Sequence, residues 1–431
     1  MKIKGILIIA YDWPPRNSIA VHRPYAWAKY WANQGVSVTV LTAKKCIYDE
    51  PLDLNMPAID GVEVCEVAYR SDAEASKKTG KDSKIKKIFY DFLKKNSGSI
   101  KKLIGVNYDV RDRWATVSIP KAVELCEGNK IDVVVSTYGP RACHLVAARV
   151  KDKNPAIKWV ADYRDLWSIR HNNDMTSSQK KREKLLEKET LSKADFLMTV
   201  SKPLADDLSS FLGKNVSTVF NGFDAEWGDV KKRLTSRSCE KSTKEKINII
   251  YTGMIYPGWR DPSNLFLAIN NLIKFNKIKQ EQIEIHFYGK RQPGLHELVM
   301  KNFAEGFVKI HGHVSREAAL HAQENADLLL LLESGEEVAK GVLTGKIFEY
   351  MVSGVPILSL GSKQDSAIGE IIVETGVGVI CADDVERIEM SIIRILQGEA
   401  SSIYSPNLDA IAKYSRKAQS EDLLRQLDRL L

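Results

Sequence analysis

The chain has 431 residues, of which 44% are hydrophobic and 27% charged, with a formal net charge of +8. That length is too great for one compact core, so two domains are expected, and the composition is that of an ordinary soluble globular protein. No apolar run approaches the roughly 18–20 residues that a membrane-spanning helix needs, and the six scattered cysteines, none at C-x-x-C spacing, exclude a disulfide frame or a zinc site. The basic balance suits an anionic partner, whether nucleotide, lipid headgroup or nucleic acid.

The N-terminus, Met1–Ala10, is short for a signal peptide and is followed by Asp12 and Trp13-Pro14-Pro15. It reads instead as a first buried strand, Gly5–Tyr11. This places the chain in the cytoplasm, with membrane contact only from the surface. A loop over 12–20 leads to a helix from near Val21 to Gly35, then a strand, Val36–Thr42, which completes a β-α-β unit.

Residues 70–113 interrupt the rhythm. Between Lys77 and Lys102, Ile85, Ile88, Phe89, Phe92 and Leu93 recur at helical spacing among lysines. That pattern is a basic amphipathic helix. It either lies on an anionic membrane surface or packs its stripe on its own domain. No RNA-binding signature accompanies it, so no nucleic-acid partner is expected.

Alternation then resumes with strands at Ile131–Ser136, Ile157–Ala161, Phe196–Ser201 and Val216–Phe220, and with helices over 140–150 and 178–193. Residues 225–246, rich in Lys, Arg, Ser and Thr, read as a linker. A second series of strands follows: Ile247–Thr252, Ile283–Gly289, Val308–Gly312, Leu328–Leu332, Val355–Leu360 and Gly376–Cys381. One terminal helix is expected over 408–431. The fold class is therefore α/β: two Rossmann-like, doubly wound domains facing a cleft, with ligands at the carboxyl ends of strands. The expected division is 1–225 plus 405–431 for one domain and 226–404 for the other.

The stretch Gly341–Pro356 carries the most chemistry. Thr344 is a candidate N-cap, Gly345 leaves the first turn open, and Gly354 and Pro356 end the helix. A helix start behind a glycine-containing loop can hold a phosphate, because its free N–H groups and dipole point outward. Lys346 adds a full charge there, and Glu349, one turn on, can accept bonds from a ribose diol. The alternative is a capped helix with solvated Lys and Glu side chains. Arg260, in the loop Gly253–Asp261 after the first strand of the second domain, can offer a bidentate guanidinium to a diphosphate; the alternative is a surface Arg260–Asp261 pair. Asp162 and Arg164, ending a strand of the first domain, can position or deprotonate an acceptor hydroxyl; the alternative is an ion pair bracing the loop. His144 reads as structural. His311 and His313 lack a third ligand, so no metal is expected. The first loop has no G-x-G-x-x-G, which argues against a dinucleotide oxidoreductase.

In the order Tyr11-Asp-Trp-Pro-Pro15 with Arg23, Trp159–Trp167, Asn221-Gly-Phe-Asp224, Tyr251-Thr-Gly253, Lys346-Ile-Phe-Glu349 and Gly354–Leu358, the chain resembles a family 4 glycosyltransferase of the GT-B fold. The resemblance runs over nearly the whole length. It implies retaining transfer of a sugar from a nucleotide diphosphate donor, a UDP-sugar foremost, without a bound metal or other cofactor. The donor would sit in the second domain and the acceptor in the first, to which the terminal helix crosses back; the basic insert points to a lipid-linked or polysaccharide acceptor of the cell envelope. By position, Glu349 matches the second carboxylate of the family's Glu-x7-Glu motif, and Arg260 and Lys346 match its diphosphate-binding cations. Two positions depart from it. The first carboxylate falls on Gly341, for which Glu336 or Glu337 are the candidate substitutes. The family's Gly-rich first loop is here Ser18-Ile19-Ala20, whose side chains crowd a phosphate. The other readings are a non-hydrolysing sugar-nucleotide epimerase of the same architecture and a binding or scaffold protein with a degenerate site.

Overall fold

The computed structural model describes residues 2–45, 51–69, 109–128, 131–169, 175–237, 243–256, 258–289 and 294–431. The lysine-rich helix expected between Lys77 and Lys102, with its membrane contact, lies outside the described residues. The chain divides into two compact units, Met1–Phe220 with Gln419–Leu431, and Asn221–Ala418.

The first unit is built on a seven-stranded sheet in the order β3-β2-β1-β4-β5-β6-β7. Its strands are β1 (Gly5–Ile9), β2 (Ser37–Ala43), β3 (Val62–Val67), β4 (Val133–Thr137), β5 (Lys158–Tyr163), β6 (Phe196–Thr199) and β7 (Val216–Thr218). The pairings are parallel, with Gly5 opposite Ser37 and Ile6 opposite Val133. β1 and β4 are buried along their whole length, as continuous apolar strands of a two-faced parallel sheet must be. The sequence reading passed over β3. Val62-Glu-Val-Cys-Glu-Val67 is an edge strand with exposed glutamates, so it lacks the unbroken apolar run that marks its neighbours.

The first helix runs over Ile19–Ala32, two residues earlier than its apolar pattern suggested, because the Ser18 side chain accepts from the Ala20 N–H. Trp27 and Trp31 stack along it at 5.8 Å, and the Trp31 Nε1–H donates to the Ser420 carbonyl at 2.8 Å. That bond, Asp428 accepting from the Lys2 and Ile3 N–H groups, and Leu423, Leu424 and Leu427 in the core fix the chain's last helix to the first unit.

The second unit has a six-stranded sheet in the order β10-β9-β8-β11-β12-β13: β8 (Ile247–Thr252), β9 (Ile283–Tyr288), β10 (Val308–Gly312), β11 (Leu328–Leu332), β12 (Ile357–Leu360) and β13 (Gly378–Ala382). Its five-leucine strand β11 is fully buried. In each unit the strand order reverses beside the first strand, between β1 and β4 and between β8 and β11, which is where such sheets open a crevice.

Four expectations change. Residues 227–237 of the expected linker are a helix, Trp227–Arg237. Its only fully buried apolar side chains are Val230 and Leu234, four residues apart on one face, too sparse a stripe to stand out from composition. The terminal helix is two, Leu408–Ala412 and Arg416–Asp428. It breaks where Phe223 inserts as a strand-like bridge to Ser415, exchanging backbone bonds with Tyr414 and Arg416. The same pairing keeps Asn221–Asp224 and Tyr414–Arg416 together, so the divisions fall at 220/221 and 418/419, not at 225/226 and 404/405. Finally, Thr344 does not cap the key helix, which spans Lys346–Ser353 with Gly345 at the N-cap position in helical geometry and no side-chain cap; Gly354 ends it in the left-handed conformation.

Candidate functional site

In the second unit the chemistry gathers at the carboxyl ends of β8 and β11, the two strands at the point of reversal. After β8 the chain turns tightly, with the Arg260 N–H bonded to the Tyr256 carbonyl at 2.7 Å. Asp261 is spent on this turn, accepting from the N–H groups of Gly258 and Ser263. The surface Arg260–Asp261 pair is therefore not formed. The Arg260 guanidinium leans over the Tyr256 ring, 5.6 Å from its centroid, and its Nη2 stands 3.9 Å from Oε1 of Glu333.

Lys346 opens its helix, and its side chain turns back toward the helix N-terminus, as helical side chains do. The ammonium lies over the Tyr251 ring, 4.8 Å from the centroid, and donates to the Tyr251 hydroxyl at 3.3 Å. Position 253 has to be glycine for this. A Cβ there would fall 2.5 Å from Nζ, and the backbone φ of +135° is one that other residues rarely adopt. Burial and the neighbouring Arg260 push Lys346 down to about 8, against the pull of Glu333 and Glu349. The helix start has no side-chain cap, and the first N–H groups of a helix generally lack a partner within it. Thr344 and Gly345 directly precede that helix, with Gly345 at its N-cap position.

Glu333 is the first residue past β11, and sequence reasoning missed it. Its N–H bonds to the Leu360 carbonyl at 3.0 Å, and its side chain is 9% exposed. Burial pushes its carboxyl upward despite Arg260 and Lys346. The legible signal was a charge placed directly after an all-leucine strand. Glu349 is partly exposed and pairs with Arg316 at 2.9 Å, so its position beside the helix start holds but it already has a cation. Arg316, which opens the Arg316–Glu324 helix behind the Ser315 cap, was also missed. Its signal was that cap in the loop after β10.

Of the proposed carboxylate substitutes, Glu336 and Glu337 are exposed. Glu336 and Glu333 line a cavity of about 450 Å³ within this unit, together with Gly258, Ser263, Asn264 and Ser334. Among the described residues no group of three or more His, Cys, Asp or Glu side chains could hold a metal ion. His311 instead stacks on Tyr288 at 4.3 Å and bonds His286 at 2.9 Å.

In the first unit Asp162 and Arg164 part company. Asp162 is wholly buried. It is gripped by Arg23 through Nε and Nη2, the shortest contact being 2.8 Å, and accepts from Thr137 at 2.8 Å. The brace reading holds for Asp162, with Arg23 as the partner, and its catalytic assignment is withdrawn: a carboxylate so enclosed and saturated cannot meet an acceptor hydroxyl. Arg164 is 14% exposed, lies 3.6 Å from Asp165, and lies where a Cβ at Gly139 would fall, 2.5 Å from Nη2. His144 is buried, pushed down to about 3 by burial, and shares a bond of 2.8 Å with Ser136, which is a structural role.

Residues 246–398, which include Arg260, Glu333, Lys346 and Glu349, match the family model of glycosyl transferases group 1. The matched stretch lies within the second unit and takes in about a third of the chain. The whole chain superposes on sucrose-phosphate synthase from Thermosynechococcus elongatus with a TM-score of 0.61 at 12% identity, over 99% of both chains. It superposes on the apo lipopolysaccharide outer core galactosyltransferase WaaB with a TM-score of 0.60 at 12% identity, over 99% of this chain and 100% of that one. The UDP-GlcNAc 2-epimerase from Methanocaldococcus jannaschii follows at 0.51 and 14%, over 99% and 100%. Identities this low establish the shared α/β fold, which is GT-B. No curated protein matches. Among the described residues no helix is long and apolar enough to cross a membrane.

Proposed function

We propose that this chain transfers a sugar, with retention, from a nucleotide diphosphate sugar of the UDP class to a lipid-linked or polysaccharide acceptor in cell-envelope glycan synthesis. The observation that supports it is the convergence, inside the stretch that matches the group 1 glycosyl transferase model, of Arg260, Lys346 and an uncapped helix start. Two cations and a set of free N–H groups stabilise a leaving diphosphate as its charge develops. They perform the work a metal clamp would do, so the reaction needs none. Glu349, freed from or shared with Arg316, orients the ribose. Arg164 serves the acceptor side. The net charge of +8 and the lysine-rich sequence between Lys77 and Lys102 support peripheral contact with the inner face of an anionic membrane.

A thermal-shift panel of UDP-, GDP- and ADP-sugars tests the donor. One class should raise Tm, and Glu349→Ala should weaken that ligand strongly in calorimetry. No shift with any of them overturns the reading. Incubating the bound donor without an acceptor separates transfer from epimerisation, since only an epimerase converts it alone.

A further inference from the structure

We propose that Glu333 is the residue that receives a hydroxyl of the donor's sugar, the task for which the motif position at Gly341 offers no side chain; this rests on the transferase reading above. Three observations carry it. Oε1 of Glu333 is buried and has no hydrogen-bond partner among the described residues, while the guanidinium of Arg260 at 3.9 Å is beyond bonding reach. A buried acceptor is almost always satisfied, so an orphan one marks the place of a ligand donor. Second, its two charged neighbours, Arg260 and Lys346, are the cations assigned to the diphosphate. The group that reaches Oε1 therefore belongs to what the diphosphate carries. Third, Glu333 lines the 450 Å³ cavity whose other walls include Gly258, Ser263, Asn264 and Ser334. Polar and backbone groups suit a polyol, and Trp259, which also lines this cavity, offers a face on which a sugar ring can stack. A carboxylate accepts strongly from a hydroxyl, and its rigid seat at the end of a buried strand lets it discriminate the position or configuration of that hydroxyl.

Calorimetry on the full chain decides it, with UDP, GDP and ADP, with their glucose and galactose conjugates, and with the matching deoxy-sugar nucleotides. Glu333→Ala should leave the affinity for the free nucleoside diphosphate unchanged or higher, because a negative charge beside the diphosphate is removed. The same variant should lower nucleotide-sugar affinity tenfold or more and erase the preference between sugars. Glu333→Gln, which keeps an acceptor oxygen, should retain part of that preference and, being nearly isosteric, guards against misfolding. Equal losses for nucleotide and nucleotide-sugar, or an unaltered sugar preference, overturn the assignment while leaving the transferase reading intact. If the unmutated chain binds none of these ligands, both fall.

Discussion

Asp162 and Glu333 are the same device at the ends of two central strands, a carboxylate beside an arginine, and their surroundings assign them opposite roles. Asp162 is wholly buried, held by Arg23 and Thr137, and Arg23 in turn donates to the Phe220 carbonyl at 2.7 Å. Every lone pair that matters is used, so the pair braces the first unit. Glu333 faces Arg260 across 3.9 Å with an orphan oxygen, next to a lysine held below its usual range. Saturated polar groups in an interior hold a fold; unsaturated ones, kept at an energetic disadvantage, wait for something to bind.

The comparison breaks most sharply on stability. Asp162→Ala strands the buried Arg23 charge and should cost about 3–5 kcal/mol in chemical denaturation, whereas Glu333→Gln should stay within about 1 kcal/mol of the parent. Similar losses at both sites would erase the distinction. Next in size are the cations. Lys346→Ala and Arg260→Ala should each weaken nucleotide diphosphate binding roughly a hundredfold, about 2.7 kcal/mol, with Tm little changed, as calorimetry and thermal melts would register. Gly253→Ala pushes the Lys346 ammonium from its seat and strains the backbone at φ +135°; a loss of affinity near tenfold is expected.

A pH series sharpens the electrostatic side. Diphosphate prefers the charged lysine, so affinity should hold up to about pH 8 and fall above it as Lys346 loses its proton, with proton uptake on binding, and Lys346→Arg should flatten the profile. Stability moves the other way. The unfolded lysine keeps its proton to higher pH than the folded one, so between about pH 8 and the ordinary lysine value this group makes the folded state more stable as pH rises. The smallest effect belongs to Arg316→Ala. It opens a partly exposed ion pair, which should alter stability by less than about 1 kcal/mol, while Glu349 becomes fully available to a ribose.

The sequence by itself determined what local chemistry can dictate. Continuous apolar runs such as Leu328–Leu332 gave the parallel strands, Gly354 the helix stop, and the spacing of Arg260, Lys346 and Glu349 the cations and carboxylate of one domain. Only the tertiary structure decided which charges are already satisfied. Arg23 lies 139 residues from Asp162, and Glu333 lies 73 residues from the Arg260 it faces. Hydrogen-bond saturation is a property of neighbours in space, and no window along the chain contains it. The edge strand Val62–Val67, the helix Trp227–Arg237 and the break at 413–415 escaped for a related reason: each is stabilised by a partner distant in sequence, through strand pairing, a two-residue buried face and the inserted Phe223.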